Sequence, residues 1–299
     1  MTPGLRLQGG AFCSLALALV VASLIGLRLA PLHELLVAGA LIVLLGMPHG
    51  AFDVVFARKL QGVVDLQGWA LFTLRYLGLA AAVVGFWFVA PTPFLCVFLV
   101  CSALHFGFDP TAGTSRFTRC LYGGAVIVLP ALWHGPELQR LLGLVAGPAS
   151  AAFVAPVLGQ MAAPWLGATA LACVLLARTS RMAASELIAL AALLVTAPPL
   201  VAFTVYFCAM HSPRHILRTL GSFPHSEVRS ALLLALWPTL AVLAVLAVVT
   251  ALAVTGGLSS GQSIPAWVMQ IVFVGLAALT LPHMVLLERV RQAALATQR

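Results

Sequence analysis

The 299-residue chain is 62% hydrophobic and only 8% charged, with a formal net charge of +8 and a mean hydropathy of +1.08. A soluble domain carries roughly 25% charged residues, so this composition excludes a water-solvated globule and points to lipid as the solvent. The basic residues are spread thinly between apolar runs, with no patch of interleaved aromatics, which argues against nucleic acid and fits the positive-inside bias of membrane loops. In chain order, about ten hydrophobic segments are predicted, near 11–30, 34–57, 69–90, 93–109, 119–134, 163–178, 183–198, 200–216, 229–254 and 265–287. They are continuous rather than alternating, which predicts helices and not barrel strands. The expected fold is an all-α integral membrane protein, a polytopic helical bundle of about ten (8–10) transmembrane helices, with residues 1–299 as a single polytopic membrane domain.

The first run lacks a convincing small-residue exit after MTPGLRLQGG and reads as a retained span. The six cysteines form no Cys-x-x-Cys pair and read as small buried hydrophobes. Segment 141–160 is apolar but broken by Gly147-Pro148 and Pro156, which suits either a span or a re-entrant piece. Charge arbitrates. With a cytoplasmic N-terminus and 141–160 not crossing, Arg6, Arg58, Lys59, Arg116, Arg119, Arg178, Arg181, Arg214, Arg218, Arg229, Arg289, Arg291 and Arg299 fall inside, and only Arg28 and Arg140 outside. That skew favours the ten-span reading and a multi-pass plasma-membrane protein. Arg75 stays within a span, and the pattern does not account for it.

The same topology places the histidines. His49 and His105 lie late in two inward-running spans, His211 and His215 end a third, and His283 ends the last, so five histidines share one depth near the cytoplasmic face. His33 and His134 fall on the opposite side, and His225 lies in a loop. Ionisable groups in apolar spans are costly unless paired or bound, so a shared metal or cofactor site is expected. His211 and His215 are four apart, one helical turn, a spacing that lets two imidazoles chelate one ion. Imidazole ligands alone do not choose among iron, copper, zinc and nickel.

Asp53 and Asp109 each follow a histidine by one turn. They either orient a ligating imidazole through its second N–H or pair with Arg58 and Arg116 at the membrane border. Glu186 reads as an ordinary interfacial acid. Pro48, Pro213 and Pro282 each lie next to or between histidines, where they disturb a regular helix. Phe52, Phe106, Tyr206 and Met210 are candidates for an apolar substrate pocket, and Tyr206 needs a hydroxyl partner if buried.

Pro48-His49-Gly50-Ala51-Phe52-Asp53, His105-Phe106-Gly107-Phe108-Asp109, Tyr206-Phe207-Cys208-Ala209-Met210-His211-Ser212-Pro213-Arg214-His215 and Pro282-His283-Met284 occur in this order. The ordered set resembles the signature blocks of the Brp/Blh-type β-carotene 15,15'-dioxygenase family, from about residue 40 to the C-terminus. The resemblance implies an Fe(2+)-dependent membrane enzyme that uses O2 to split the central double bond of β-carotene into two molecules of all-trans-retinal. By matching blocks, the iron ligands fall on His49, His105, His211 and His215, with His283, Asp53 and Asp109 as an additional ligand or supporting groups. Family members often carry tryptophan where this chain has Met210, which bears on pocket shape more than on the metal. A lipid desaturase or hydroxylase would need adjacent His-His pairs, and this chain has none. A metal-binding or proton-translocating transporter would use the histidines as a relay stepping across the membrane, whereas these five sit at one level; a haem-binding protein, which pairs histidines across helices at matching depth, fits the spacing as well. The pattern specifies no oligomeric state.

Overall fold

A computed structural model describes residues 2–110, 114–255 and 263–296, and every regular element among them is helical. In chain order these are α1 (Pro3–Leu24), α2 (Pro31–Leu41), a π-helical turn (Ile42–Gly46), a 3-10 segment (Met47–Phe52), α3 (Asp53–Gln61), α4 (Leu66–Val89), α5 (Pro91–Phe106), α6 (Arg116–Val128), α7 (Ala131–Ala146), α8 (Pro148–Ala177), α9 (Arg181–Thr196), α10 (Pro199–Val205), a second π-helical turn (Tyr206–His211), α11 (Ser212–Gly221), α12 (His225–Thr255) and α13 (Ile264–Ala296). Local chemistry sets many of the starts. Proline occupies the first turn of α1, α2, α5, α8 and α10, where its missing N–H costs nothing. Asp65, Ser115 and Ser180 cap α4, α6 and α9 by accepting backbone N–H groups of Gly68, Thr118 and Ala183.

Among the described residues, six stretches are long and apolar enough to cross a membrane: Pro3–Leu24, Pro31–Lys59, Leu66–Val89, Pro148–Ala177, His225–Leu252 and Ile264–Ala293. The other expected segments form shorter or bent helices, so of the ten expected segments only six meet this measure. Segment 141–160 is neither a span of its own nor a re-entrant loop. Its first residues complete α7, Gly147 turns the chain at φ +88°, and the remainder opens α8, which continues through Pro156 and Pro164. Leu129 and Pro130 keep right-handed helical dihedrals, so α6 and α7 follow one another as a bent rod, and α8 returns along both. The chain thus reverses once, at Gly147, between the α6–α7 rod and α8.

The core is centred on α9, whose Leu187, Leu190, Leu193 and Leu194 are fully buried against α1, α6 and α8. In contrast, α4 and α12 show large apolar side chains outward, among them Leu74, Phe88, Leu233, Trp237 and Leu252. Such a surface is stable against lipid and not against water. Arg75 lies on the exposed side of α4.

The two π-helical turns pack against each other. A π turn leaves carbonyls without their regular helical donors, and turns of this kind concentrate at functional sites. Side chains bridge the pair: the Ser212 hydroxyl donates to Leu45 O at 2.8 Å, and the Cys208 thiol donates to Leu41 O at 3.3 Å. Gly46 allows the close approach, since a Cβ there would run into the ring of Phe207.

Candidate metal centre

Five imidazoles converge where these interrupted helices meet. His49 belongs to the 3-10 segment, His105 to the last turn of α5, His211 to the second π turn, His215 to α11 and His283 to the middle of α13. The His49 ring centroid lies 4.9 Å from that of His211, 5.5 Å from His215, 5.4 Å from His283 and 6.3 Å from His105. His105 and His211 are 4.8 Å apart, and His215 and His283 are 5.2 Å apart. His33 and His134 take no part. His134 sits at a kink in α7 and contacts Thr196 O at 3.2 Å, and His225 begins α12.

The outer nitrogens of three rings are tied to acceptors. His49 Nδ1 meets Gly46 O at 2.6 Å, His211 Nδ1 meets the Asp109 carboxylate at 3.0 Å, and His283 Nδ1 meets Asp53 Oδ1 at 2.7 Å. A carbonyl or carboxylate cannot donate, so each Nδ1 carries the proton and each Nε2 presents a lone pair inward. The inward nitrogens have little else to bind. Nε2 of His215 and of His283 are buried without any hydrogen-bond partner. Those of His105 and His211 face each other at 3.1 Å. Two nitrogens bound to one ion at about 2.0–2.1 Å stand about 3 Å apart when adjacent in its coordination shell. One ligand atom from each of His49, His105 and His283 also falls within 4.8 Å of the others. Unpartnered buried lone pairs are costly in an apolar interior, and a divalent cation answers all of them together. The donor set fits a metal.

Both aspartates serve imidazoles, but not those of their own motifs. In His49-x-x-x-Asp53 the intervening backbone is 3-10, with about 3.0 residues per turn, so the fourth residue is carried round to another face. Asp53 therefore faces His283. In His105-x-x-x-Asp109 the helix ends at Phe106, and Asp109 lies beyond it facing His211. A tyrosine completes each unit. Tyr206 donates to Asp109 Oδ2, and Tyr76 donates to Asp53 Oδ2 at 2.9 Å. Tyr206 thus finds the hydroxyl partner that its burial demands. Sequence reading missed Tyr76; its signal was a phenol beside Arg75 in a largely apolar helix.

Glu186 corrects another expectation. It is 2% exposed rather than interfacial, and it forms a two-pronged ion pair with Arg214 at 2.6 and 2.8 Å. Arg214, at 1% exposure, is not a loop residue. Arg218 donates to Asp109 O at 2.6 Å and Phe108 O at 2.8 Å, which fastens the turn that carries Asp109.

An apolar cavity lies beside the centre, lined by Leu95, Phe98, Ser102 and Phe106 of α5, with Leu141, Phe203, Met269 and Phe273 opposite. Phe106 packs edge-on to His211 at 5.0 Å, and Phe203 stacks on Phe207, which in turn stacks on His211. Among the aromatic and pocket candidates, Phe106 lines this cavity. Tyr206 and Met210 are fully buried beside the histidines, and Phe52 lies in a separate cluster with Ala231 and Ala235 of α12.

A helical protein with an apolar exterior and a buried cluster of five convergent imidazoles, three of them backed by acceptors, fits the class of membrane proteins built around a histidine-ligated metal. A family model for β-carotene 15,15'-dioxygenase matches residues 40–290, and the chain belongs to that family. It is 30% identical over 264 residues to a β-carotene 15,15'-dioxygenase of an uncultured marine bacterium (66A03), covering 83% of this chain and 91% of the relative. It is 29% identical over 293 residues to a probable β-carotene 15,15'-dioxygenase of Halobacterium salinarum, covering 86% and 84% respectively. No solved structure matches the chain.

Proposed function

We propose that this chain cleaves β-carotene at its central 15,15' double bond with O2, giving two molecules of all-trans-retinal at a centre that holds Fe(2+). The observation that carries the reading is the set of inward Nε2 atoms: Nδ1 is tied off on His49, His211 and His283, Nε2 of His215 and of His283 lacks any partner, and Nε2 of His105 meets only that of His211. His49, His105, His211 and His215 hold the ion, and His283 joins them as a further ligand. Asp109 and Asp53 fix the tautomer and rotation of His211 and His283. Iron(II), when bound, supplies the redox chemistry that lets dioxygen react with a carbon–carbon double bond. The atoms balance with one O2 per β-carotene, one oxygen atom ending on each aldehyde.

The protein's own residues position and exclude. The apolar cavity offers the polyene an apolar wall beside the centre, and Phe106 and Phe203 hold it against the histidines by burial and aromatic contact. No side-chain acid or base is needed, which accords with the few ionisable groups in the spans. A hydrocarbon dissolved in the bilayer reaches such a site laterally between helices. The reading includes about ten crossings of the plasma membrane, supported by the rod pattern and the arginine skew, with the histidines toward the cytoplasm.

The test is expression in a bacterium engineered to accumulate β-carotene. Loss of orange colour with retinal in the extract is expected. Unchanged pigment, with the protein folded in the membrane, would overturn the reading. Chelator-treated purified protein should regain cleavage with Fe(2+) and not with Zn(2+); recovery with zinc would overturn the assignment of iron.

A further inference from the structure

Helix α1 precedes the matched family segment, which begins at residue 40, and it carries no histidine. It nonetheless reaches the backbone that presents one. Gln8 Nε2 donates to Ala209 O at 2.7 Å, with Met210 O at 3.4 Å, and these two residues immediately precede His211 in the π turn. On its other face, Gln8 Oε1 accepts from Arg214 Nε at 3.0 Å. Both orientations are forced. A guanidinium only donates, so the amide oxygen must face Arg214, which leaves the amide N–H groups for the carbonyls. Arg214 is itself locked by its two bonds to Glu186. Gly9, next along α1, makes the approach feasible, because a Cβ there would collide with the Glu186 carboxylate.

We propose that Gln8 is a positioning residue of the metal centre. It bonds the Ala209 carbonyl, whose regular helical donor would be the N–H that Pro213 lacks, and so fixes the direction in which His211 presents its Nε2. The inference rests on the metal-centre reading above. It adds α1, which the family segment does not include, to the parts that determine metal affinity.

The test uses full-length protein in detergent and Co(2+) as a spectroscopic probe of histidine ligation. Gln8→Leu removes both bonds, whereas Gln8→Glu keeps an acceptor for Arg214 and removes the donor to the π turn. Phe12→Leu serves as a control, since Phe12 is a fully buried core residue of the same helix. Both Gln8 variants are expected to raise the Co(2+) dissociation constant roughly tenfold, in line with supporting groups elsewhere, and to shift its visible absorption. Phe12→Leu is expected to lower the melting temperature with Co(2+) affinity and spectrum unchanged. Wild-type affinity and spectrum in both Gln8 variants would overturn the inference while leaving the metal reading standing. Equal weakening by Phe12→Leu would also overturn it, by showing that docking of α1 in general is what matters. Wild-type protein that binds no Co(2+) would overturn the metal reading and this inference together.

Discussion

The centre is held by two units of the same composition, histidine–aspartate–tyrosine, set in different surroundings. In the first, Asp109 takes His211 Nδ1 and the Tyr206 hydroxyl, and Arg218 fastens its backbone. Around this unit lie the Arg214–Glu186 pair and Gln8, all within the tightly packed half of the molecule. In the second, Asp53 takes His283 Nδ1 and Tyr76, but Tyr76 comes from α4, a helix whose other faces look outward. The contrast teaches that identical chemistry at an imidazole can be supported by a buried polar network or by one residue of a lipid-facing helix. The first unit should be rigid and intolerant of change; the second should be more forgiving.

The largest effect is expected from His211→Ala, which should abolish both metal binding and retinal formation, measured by metal content and by product extraction. Next, removal of one member of the buried ion pair tests whether the first unit depends on its network. Glu186→Ala leaves the Arg214 charge uncompensated in an apolar interior and should cost about 3–5 kcal/mol of stability. A melting temperature close to wild type would remove the claimed difference between the units. Asp53→Asn probes the second unit directly. Metal affinity should fall about 10–100-fold with the fold intact, whereas Asp109→Asn should lower both affinity and thermal stability. Equal behaviour of the two variants would break the comparison. Tyr76→Phe removes one hydrogen bond of about 0.5–1.5 kcal/mol, so metal affinity should drop several-fold at most. Least of all, His134→Ala, at the α7 kink, should leave cleavage near wild type.

Much of this was readable along the chain. Low charge and continuous apolar runs are properties of each segment separately, so they announce helices in lipid without knowledge of neighbours. The arginine skew then put His49, His105, His211, His215 and His283 at one depth, and the structure assembles those five and leaves out His33 and His134. Segment 141–160 was harder to read because proline signals a break in water, while an apolar helix with packed neighbours carries Pro156 and Pro164 without ending.

The sequence by itself determined the solvent, the helical class and the set of histidines, because hydropathy and charge act on one segment at a time. Only the tertiary structure decided who touches whom. Spacing set Asp53 one turn beyond His49 and Asp109 one turn beyond His105 and left their partners open between an imidazole and a border arginine, whereas a 3-10 segment and a helix end turn both carboxylates onto histidines more than a hundred residues away in the chain. Gln8, Tyr76 and the Glu186–Arg214 pair were invisible for the same reason. Their partners lie across helix interfaces, and the rotation of each helix about its axis is set by side-chain packing, which no local pattern in the chain encodes.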